Sequence, residues 1–193
     1  MKGFVLRALA WTLAMLILWY WAAPWFAPMM SVASGYLMHF FFPDWVNGSG
    51  WNGAALYLFT DLPLQAVGEI RHARFKAYAS MTTLGIGLPF LIALLFASKA
   101  QSVVKKIFIG VLILVPFQLW SICFVWLSQV VFERGPQTLQ ELGLSVSESS
   151  LIALGVHIGD TVFPVLIPVL IWFFLERRFV EDIFVHTNNT QKQ

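Results

Sequence analysis

His157 and Asp160 are the two residues of this chain whose types and spacing could do chemistry. They are the only ionisable residues in the otherwise apolar stretch Ser149–Leu175. A residue and its third neighbour lie on the same face of a helix, so the imidazole and the carboxylate are expected within hydrogen-bonding reach. Such a pair could relay protons, orient a nucleophile from another chain, or bind a metal together with further ligands.

A structural role is the alternative for this polar pair. Both residues fall within a few turns of one end of their stretch, where interfacial water can reach them, and each could simply satisfy the other. No HxxxH or HExxH pattern accompanies them, so no metal site is predicted. His157 and Asp160 therefore remain a candidate functional polar pair with two open interpretations.

No other catalytic signature is present in the sequence. It contains no P-loop, no GxSxG, no HExxH and no CxxC pattern. The single cysteine, Cys123, lies in an apolar run, where burial suppresses thiol reactivity and no disulfide partner exists. We therefore expect no catalytic residue and no cofactor, and a protein that is not an enzyme.

The elements that must position the pair are long apolar helices. Of 193 residues, 59% are hydrophobic and only 11% are charged, whereas soluble domains carry about 25% charged residues. A span needs about 20 apolar residues, and lipid favours helices because it offers no partners to backbone groups. The sequence predicts an all-α integral membrane protein with four transmembrane helices, at about 4–23, 79–97, 107–131 and 150–175.

The segment between the first two helices, 24–78, changes character. Pro24 and Pro28 are expected to end helix 1, which we interpret as a retained anchor, and Met29–Phe42 is expected to lie in the membrane interface. Turn signals follow at 47–53, and the runs 55–60 and 71–77 resemble strands. We predict a small β-hairpin on the membrane surface. A second loop, 132–149, contains Gly135-Pro136 and a short helix, and a polar tail covers 180–193.

Positive charges predict the orientation of the four helices. Eight Lys and Arg residues fall on the side of the termini and four on the other side. By the positive-inside rule both termini are cytoplasmic and the hairpin lies outside. This distribution at the ends of apolar runs does not indicate nucleic-acid binding. On the outer side, Arg71, Arg74 and Lys76 are expected to contact lipid headgroups or an acidic partner.

Three further residues are predicted to serve helix packing. Gly155 and Gly159 form a small-xxx-small pattern, which lets helices approach closely. Gln118 follows Pro116 within the third predicted helix and could bond a freed carbonyl or a neighbouring helix. Packing is the role we predict for all three.

The second half of the chain resembles the exosortase H-associated membrane protein family. The resemblance covers about residues 107–179 and rests on short motifs: LVPFQLW at 114–120, Gly135-Pro136, LGLS at 142–145, LIALG at 151–155, PVLIPVLIW at 164–172 and RRF at 177–179. The family implies a small bacterial inner-membrane protein that accompanies an exosortase, a polytopic transpeptidase thought to process proteins with a C-terminal sorting signal. It supplies no motif for His157 or Asp160.

The resemblance implies a non-enzymatic accessory subunit that holds the exosortase or its substrate at the outer face. The exosortase itself is not expected, because Cys123 lacks that enzyme's small-residue setting and no intramembrane Arg is present. Expected partners are membrane lipids and a polytopic membrane protein. Alternatives are a small structural subunit of another membrane complex, in energy transduction or secretion, or a proton-coupled transporter or intramembrane enzyme using His157 and Asp160.

Overall fold

A computed structural model describes residues 2–66, 69–134, 138–177 and 179. These residues form seven α-helices, two π-helical segments and one three-stranded antiparallel sheet. The helices are α1 (Lys2–Phe41), α2 (Met81–Leu84), α3 (Gly87–Ala97), α4 (Val103–Ser128), α5 (Thr138–Glu141), α6 (Val146–His157) and α7 (Phe163–Leu175). The strands are β1 (Val46–Asn52), β2 (Ala55–Ala66) and β3 (Glu69–Ser80), and the π-helical segments are Gln129–Glu133 and Ile158–Val162.

Helix α1 runs without interruption for 40 residues, so the prediction that Pro24 and Pro28 end it is wrong. Each proline removes one intrahelical donor, which costs roughly 3 kcal/mol in a helix interior. The residues after Pro28 recover this loss by packing against β1. Met29–Phe41 is accordingly the C-terminal part of α1, and not a separate interfacial segment.

Three helical stretches are long and apolar enough to cross a membrane: Gly3–Phe41, Val103–Glu133 and Val146–Leu175. They correspond to the first, third and fourth predicted spans. The second predicted span is shorter than expected, because Ala79 and Ser80 belong to β3 and a turn at Gly85–Ile86 separates α2 from α3. Met81–Ala97 is thus an apolar helical stretch below the usual spanning length.

The predicted hairpin is a three-stranded sheet in the order β1-β2-β3. The turn signals at 47–50 belong to β1, and only Asn52-Gly53 marks a turn, with Gly53 at φ +58°. The segment between the two predicted strands is also largely strand, since β2 continues to Ala66 and β3 begins at Glu69. Pairing with β2 makes β1 a strand in spite of its glycines, because the ladder satisfies its backbone groups.

The two faces of the sheet have different chemistry. Five apolar side chains and one threonine cover the buried face: Leu56, Leu58, Thr60, Phe75, Ala77 and Ala79. The opposite face holds the alternate residues Tyr57, Phe59, Lys76 and Tyr78. The buried face closes one continuous hydrophobic core with α1 and α4.

One side chain closes the free edge of β3. Gln129 accepts a hydrogen bond from Tyr78 N and donates one to Tyr78 O, both at 2.7 Å. The carboxamide thus occupies the position of a further strand at this point of the edge. It also ties the sheet to the end of α4.

Helices α6 and α7 form one rod with a π-helical segment between them. The Pro164 ring would clash with the carbonyl of Asp160 in a regular helix, and the wider π-helical turns at Ile158–Val162 relieve that clash. At the start of the rod, Ser145 and Glu148 form a capping box. Gly143, at φ +64°, ends the preceding turn.

Replacing Gly35 with Ala should destabilise the contact between α1 and β1. A Cβ at this position would lie 2.6 Å from Ser49 Cβ, so β1 would have to move. Overpacking of this kind typically costs about 1–3 kcal/mol. The matched control is Gly3→Ala in the same helix, where a Cβ meets nothing within 4 Å. Thermal unfolding in detergent should show a lower midpoint for Gly35→Ala alone, and equal midpoints would contradict the contact.

Candidate partner-binding surface

The structure places His157 at the end of α6 and Asp160 in the π-helical segment, and both side chains are exposed. Among the described residues, no hydrogen bond joins them to each other or to a third group. The π-helical segment explains this arrangement, because its wider turns rotate successive residues differently from a regular α-helix. The pair is therefore two adjacent polar groups on an open surface and not a closed relay.

Gly155 and Gly159 lie against α4 of the same chain. Ser121 Oγ donates to Gly159 O at 2.8 Å, and Trp120 Nε1 donates to Gly155 O at 3.3 Å. A Cβ on Gly159 would lie 3.0 Å from Ser121 Cα. The close approach of these helices is thus intramolecular, and it leaves His157 and Asp160 on the exposed side of the rod.

Gln118 lies on α4, and its buried side chain faces α3 and α7. It lines a small cavity of about 10 Å³ together with Ser121, Gly87 and Pro164. That volume is close to the minimum that one water molecule needs. The position suits helix packing, the role that the sequence predicts for Gln118.

The predicted basic residues of β3 differ in their surroundings. Arg74 Nη1 pairs with Asp61 Oδ1 at 2.8 Å, and both side chains are well exposed. Lys76 Nζ lies 5.0 Å from the ring centre of Tyr57 and 4.9 Å from that of Phe59. Of Arg71 the structure gives the backbone register, opposite Leu64. Arg74 is neutralised, whereas Lys76 belongs to an exposed aromatic and cationic face of the sheet.

The largest feature that the sequence reasoning missed is an exposed apolar stripe along α1. Large side chains recur every three or four residues over the whole helix, and the most exposed include Trp25 at 85%, Phe40 at 78% and Tyr36 at 75%. The complete stripe is Leu6, Leu9, Leu13, Ile17, Trp21, Trp25, Met29, Val32, Tyr36 and Phe40. Its helical spacing is visible in the sequence, but an expected break at Pro24 conceals its continuity.

The opposite face of α1, in the part of the helix that follows Pro28, is fixed by polar contacts with β1. Ser31 Oγ donates to Gly50 O at 2.9 Å, and Ser49 Oγ donates to Ser31 O at 2.8 Å. His39 Nδ1 donates to Val46 O at 2.9 Å. Because β1 holds one side of α1, the stripe on the other side is presented by a rigid helix.

In the part of the chain that the structure describes, the groups that could coordinate a metal are not clustered at these surfaces, and the thiol that could act as a nucleophile lies apart from them. The described residues hold no cluster of three or more His, Cys, Asp or Glu side chains that could hold a metal ion. Cys123 is buried, with its Sγ 3.9 Å from Ser34 O. What the described geometry offers is an apolar stripe, an aromatic sheet face and two exposed polar groups.

The geometry predicts that Gly159→Leu destabilises the chain by itself. Its side chain would enter the backbone of α4 at Ser121, at a cost of roughly 1–3 kcal/mol or more. Thr161→Leu is the control, since Thr161 is exposed two residues further on in the same segment. Thermal unfolding of the purified chain in detergent distinguishes the two variants. An unchanged midpoint for Gly159→Leu would mean that this glycine faces another protein and not α4.

Comparison with known families identifies the chain. The profile of the exosortase H-associated membrane protein family matches residues 1–179. The chain therefore belongs to this family, and the match extends over the N-terminal half as well as over 107–179. No match was found among curated proteins or among solved structures.

Proposed function

We propose that this member of the exosortase H-associated membrane protein family is a non-enzymatic accessory subunit of a bacterial inner-membrane sorting system. It holds the exosortase or its substrate at the outer face of the membrane. The observation that carries the proposal is the apolar stripe of α1, which continues further than a bilayer can cover.

The length of α1 is the first step. Its 40 residues measure about 60 Å, whereas the hydrocarbon core is about 30 Å thick. Tyr20, Trp21 and Trp25 are exposed near the middle of the helix, where an aromatic belt marks the membrane interface. The part of the stripe from Met29 to Phe40 then lies outside the hydrocarbon.

The second step concerns the shorter helical stretch Met81–Ala97. It lies beside the inner half of α1, with Trp19 Nε1 donating to Thr82 O at 3.1 Å and the Trp11 and Phe96 rings stacked at 4.8 Å. The residue order of these contacts shows that Met81–Ala97 runs antiparallel to the N-terminal half of α1, as a neighbouring span would. This supports a fourth span, both termini in the cytoplasm, and the sheet outside.

The third step is the nature of the occupant. An apolar stripe on a fixed helix suits a partner helix or apolar segment, since such grooves and faces are read through residues at i, i+3, i+4 and i+7. The stripe is continuous with the lipid-facing surface of the same helix, so a partner anchored in the membrane can contact both. A polytopic exosortase fits this requirement, and the family name associates the chain with one.

The exposed polar pair supports the same assignment. Ionisable groups on a helix that spans a membrane are costly when they face lipid. His157 and Asp160 point away from α4, so a partner at the outer interface would shield them. We infer that they face this partner, in place of a role in proton transport.

The double substitution Tyr36→Ser with Phe40→Ser should lower co-purification of the exosortase about tenfold or more, because exposed aromatic residues dominate binding at interfaces. Val146→Ser is the control, since Val146 is also exposed, at 77%, but lies on α6. The measurement is a pull-down of the tagged chain from native membranes in mild detergent. Undiminished recovery of the exosortase would overturn the assignment of the stripe. Recovery of a respiratory or secretion complex instead would favour a structural subunit.

A further inference from the structure

A second site lies at the opposite end of the helices from the sheet. At this end, residues of α3, α4 and α7 and of the segments next to them line an open cleft of about 600 Å³. Its polar lining includes Lys99, Gln101, Lys106, Glu176 and Arg177, and its apolar lining includes Phe174, Leu175 and Phe179. The accessory role proposed above uses none of these residues.

The charge of the cleft is positive and partly preorganised. Lys106 Nζ donates to Glu176 Oε1 at 2.5 Å, and this carboxylate is buried. Among the lining residues, the two lysines Lys99 and Lys106 stand against the one carboxylate of Glu176, which leaves one positive charge in excess among these three groups. A phosphodiester carries one negative charge and matches that excess, and Lys106, fixed by Glu176, defines one wall of the cleft.

The backbone at Lys99 has a left-handed conformation that is rare for a residue with a side chain, and we take this as an indication of function. Helix α3 ends in a Schellman motif, in which Lys99 N donates to Phe96 O and Ala100 N donates to Leu95 O, both at 3.1 Å. The residue after the C-cap is left-handed in this motif and is usually glycine. Here it is Lys99, at φ 54°. A charged side chain thus stands where the backbone favours glycine, and it lines the cleft.

The apolar wall of the cleft opens toward lipid. The side chain of Phe174 is 74% exposed, on the side of α7 that faces away from the other helices. Phe179 packs in a cluster of three rings, tilted against Phe4 at 5.4 Å and edge-to-face with Trp172 at 6.3 Å between ring centres. One part of the cleft therefore suits a phosphate group, and the adjacent part suits the start of an acyl chain.

We propose that this cleft binds the headgroup of an anionic phospholipid, a phosphodiester such as that of phosphatidylglycerol. Lys99, Lys106 and Gln101 bind the phosphodiester, while Phe174 and Phe179 lie along the acyl chains. Basic pockets between helix ends at a membrane interface are suited to such lipids. The inference rests on the embedding of the chain in a membrane and is independent of the exosortase assignment.

The experiment is lipid titration of the full-length chain in detergent, followed by native mass spectrometry. Dioleoylphosphatidylglycerol is compared with dioleoylphosphatidylcholine. The key variant is Lys99→Gly, which removes the charge and places the favoured residue at a left-handed position, so the fold should be kept or stabilised. Lys105→Gln is the control, because it removes the same charge from an exposed position that does not line the cleft.

The proposal predicts that phosphatidylglycerol binds more tightly than phosphatidylcholine, that Lys99→Gly weakens its binding about fivefold, and that Lys105→Gln changes it less than twofold. Equal losses in the two variants would overturn the site, because general surface charge would then explain the binding. Unchanged binding in both variants would also overturn it. Competition by inorganic phosphate as effective as that by the lipid would show a phosphate site without lipid selectivity and contradict the proposal.

Discussion

The contact between the C-terminal part of α1, after Pro28, and strand β1 is the interaction on which the rest of this structure depends. Ser31 on α1 donates a hydrogen bond to the backbone of β1, and Ser49 on β1 donates one to the backbone of α1. Gly35 leaves the space that the Ser49 side chain fills. Without this support, two prolines in the middle of α1 would favour a break. With it, the helix continues as one rod, β1 becomes the edge of a sheet, and the sheet in turn is joined to α4 through Gln129.

A single rod of this length has a direct functional consequence. In a helix that ends at the membrane surface, an apolar stripe needs only lipid as its neighbour. Here the same stripe continues past the aromatic residues near the middle of the helix, to Tyr36 and Phe40. We propose that this part of the stripe lies outside lipid, where an exposed apolar surface of that extent is typical of a binding site. Family membership associates the chain with an exosortase, and this surface is our proposal for where the association occurs.

The sequence was sufficient for the features that depend on local chemistry. Apolar runs predicted the three long candidate spans, and the strand-like runs 55–60 and 71–77 lie in β2 and β3 of the sheet. It was insufficient where distant contacts outweigh local preference. Pro24 and Pro28 signal a helix end, and the glycines of β1 signal a turn, but neither signal shows that the two segments stabilise each other.

The candidate sites show the same division. The spacing of Gly155 and Gly159 predicts a packing role, but it does not indicate the contacts with α4 that the structure shows. A hydrogen bond between His157 and Asp160 was expected for a regular helix, and the π-helical segment before Pro164 changes that geometry. The left-handed backbone at Lys99 has no sequence signal, because glycine is the residue that normally marks such a position.

Photocrosslinking from α1 tests the central claim most directly. A photoreactive phenylalanine derivative is introduced at Tyr36, on the outer stripe, or at Phe174, which is similarly exposed at the other end of the helices. After irradiation of native membranes, crosslinked products are identified by mass spectrometry. The account predicts an adduct with the exosortase from position 36 and none from position 174. Lipid adducts alone from position 36, or the same protein adduct from both positions, would contradict it.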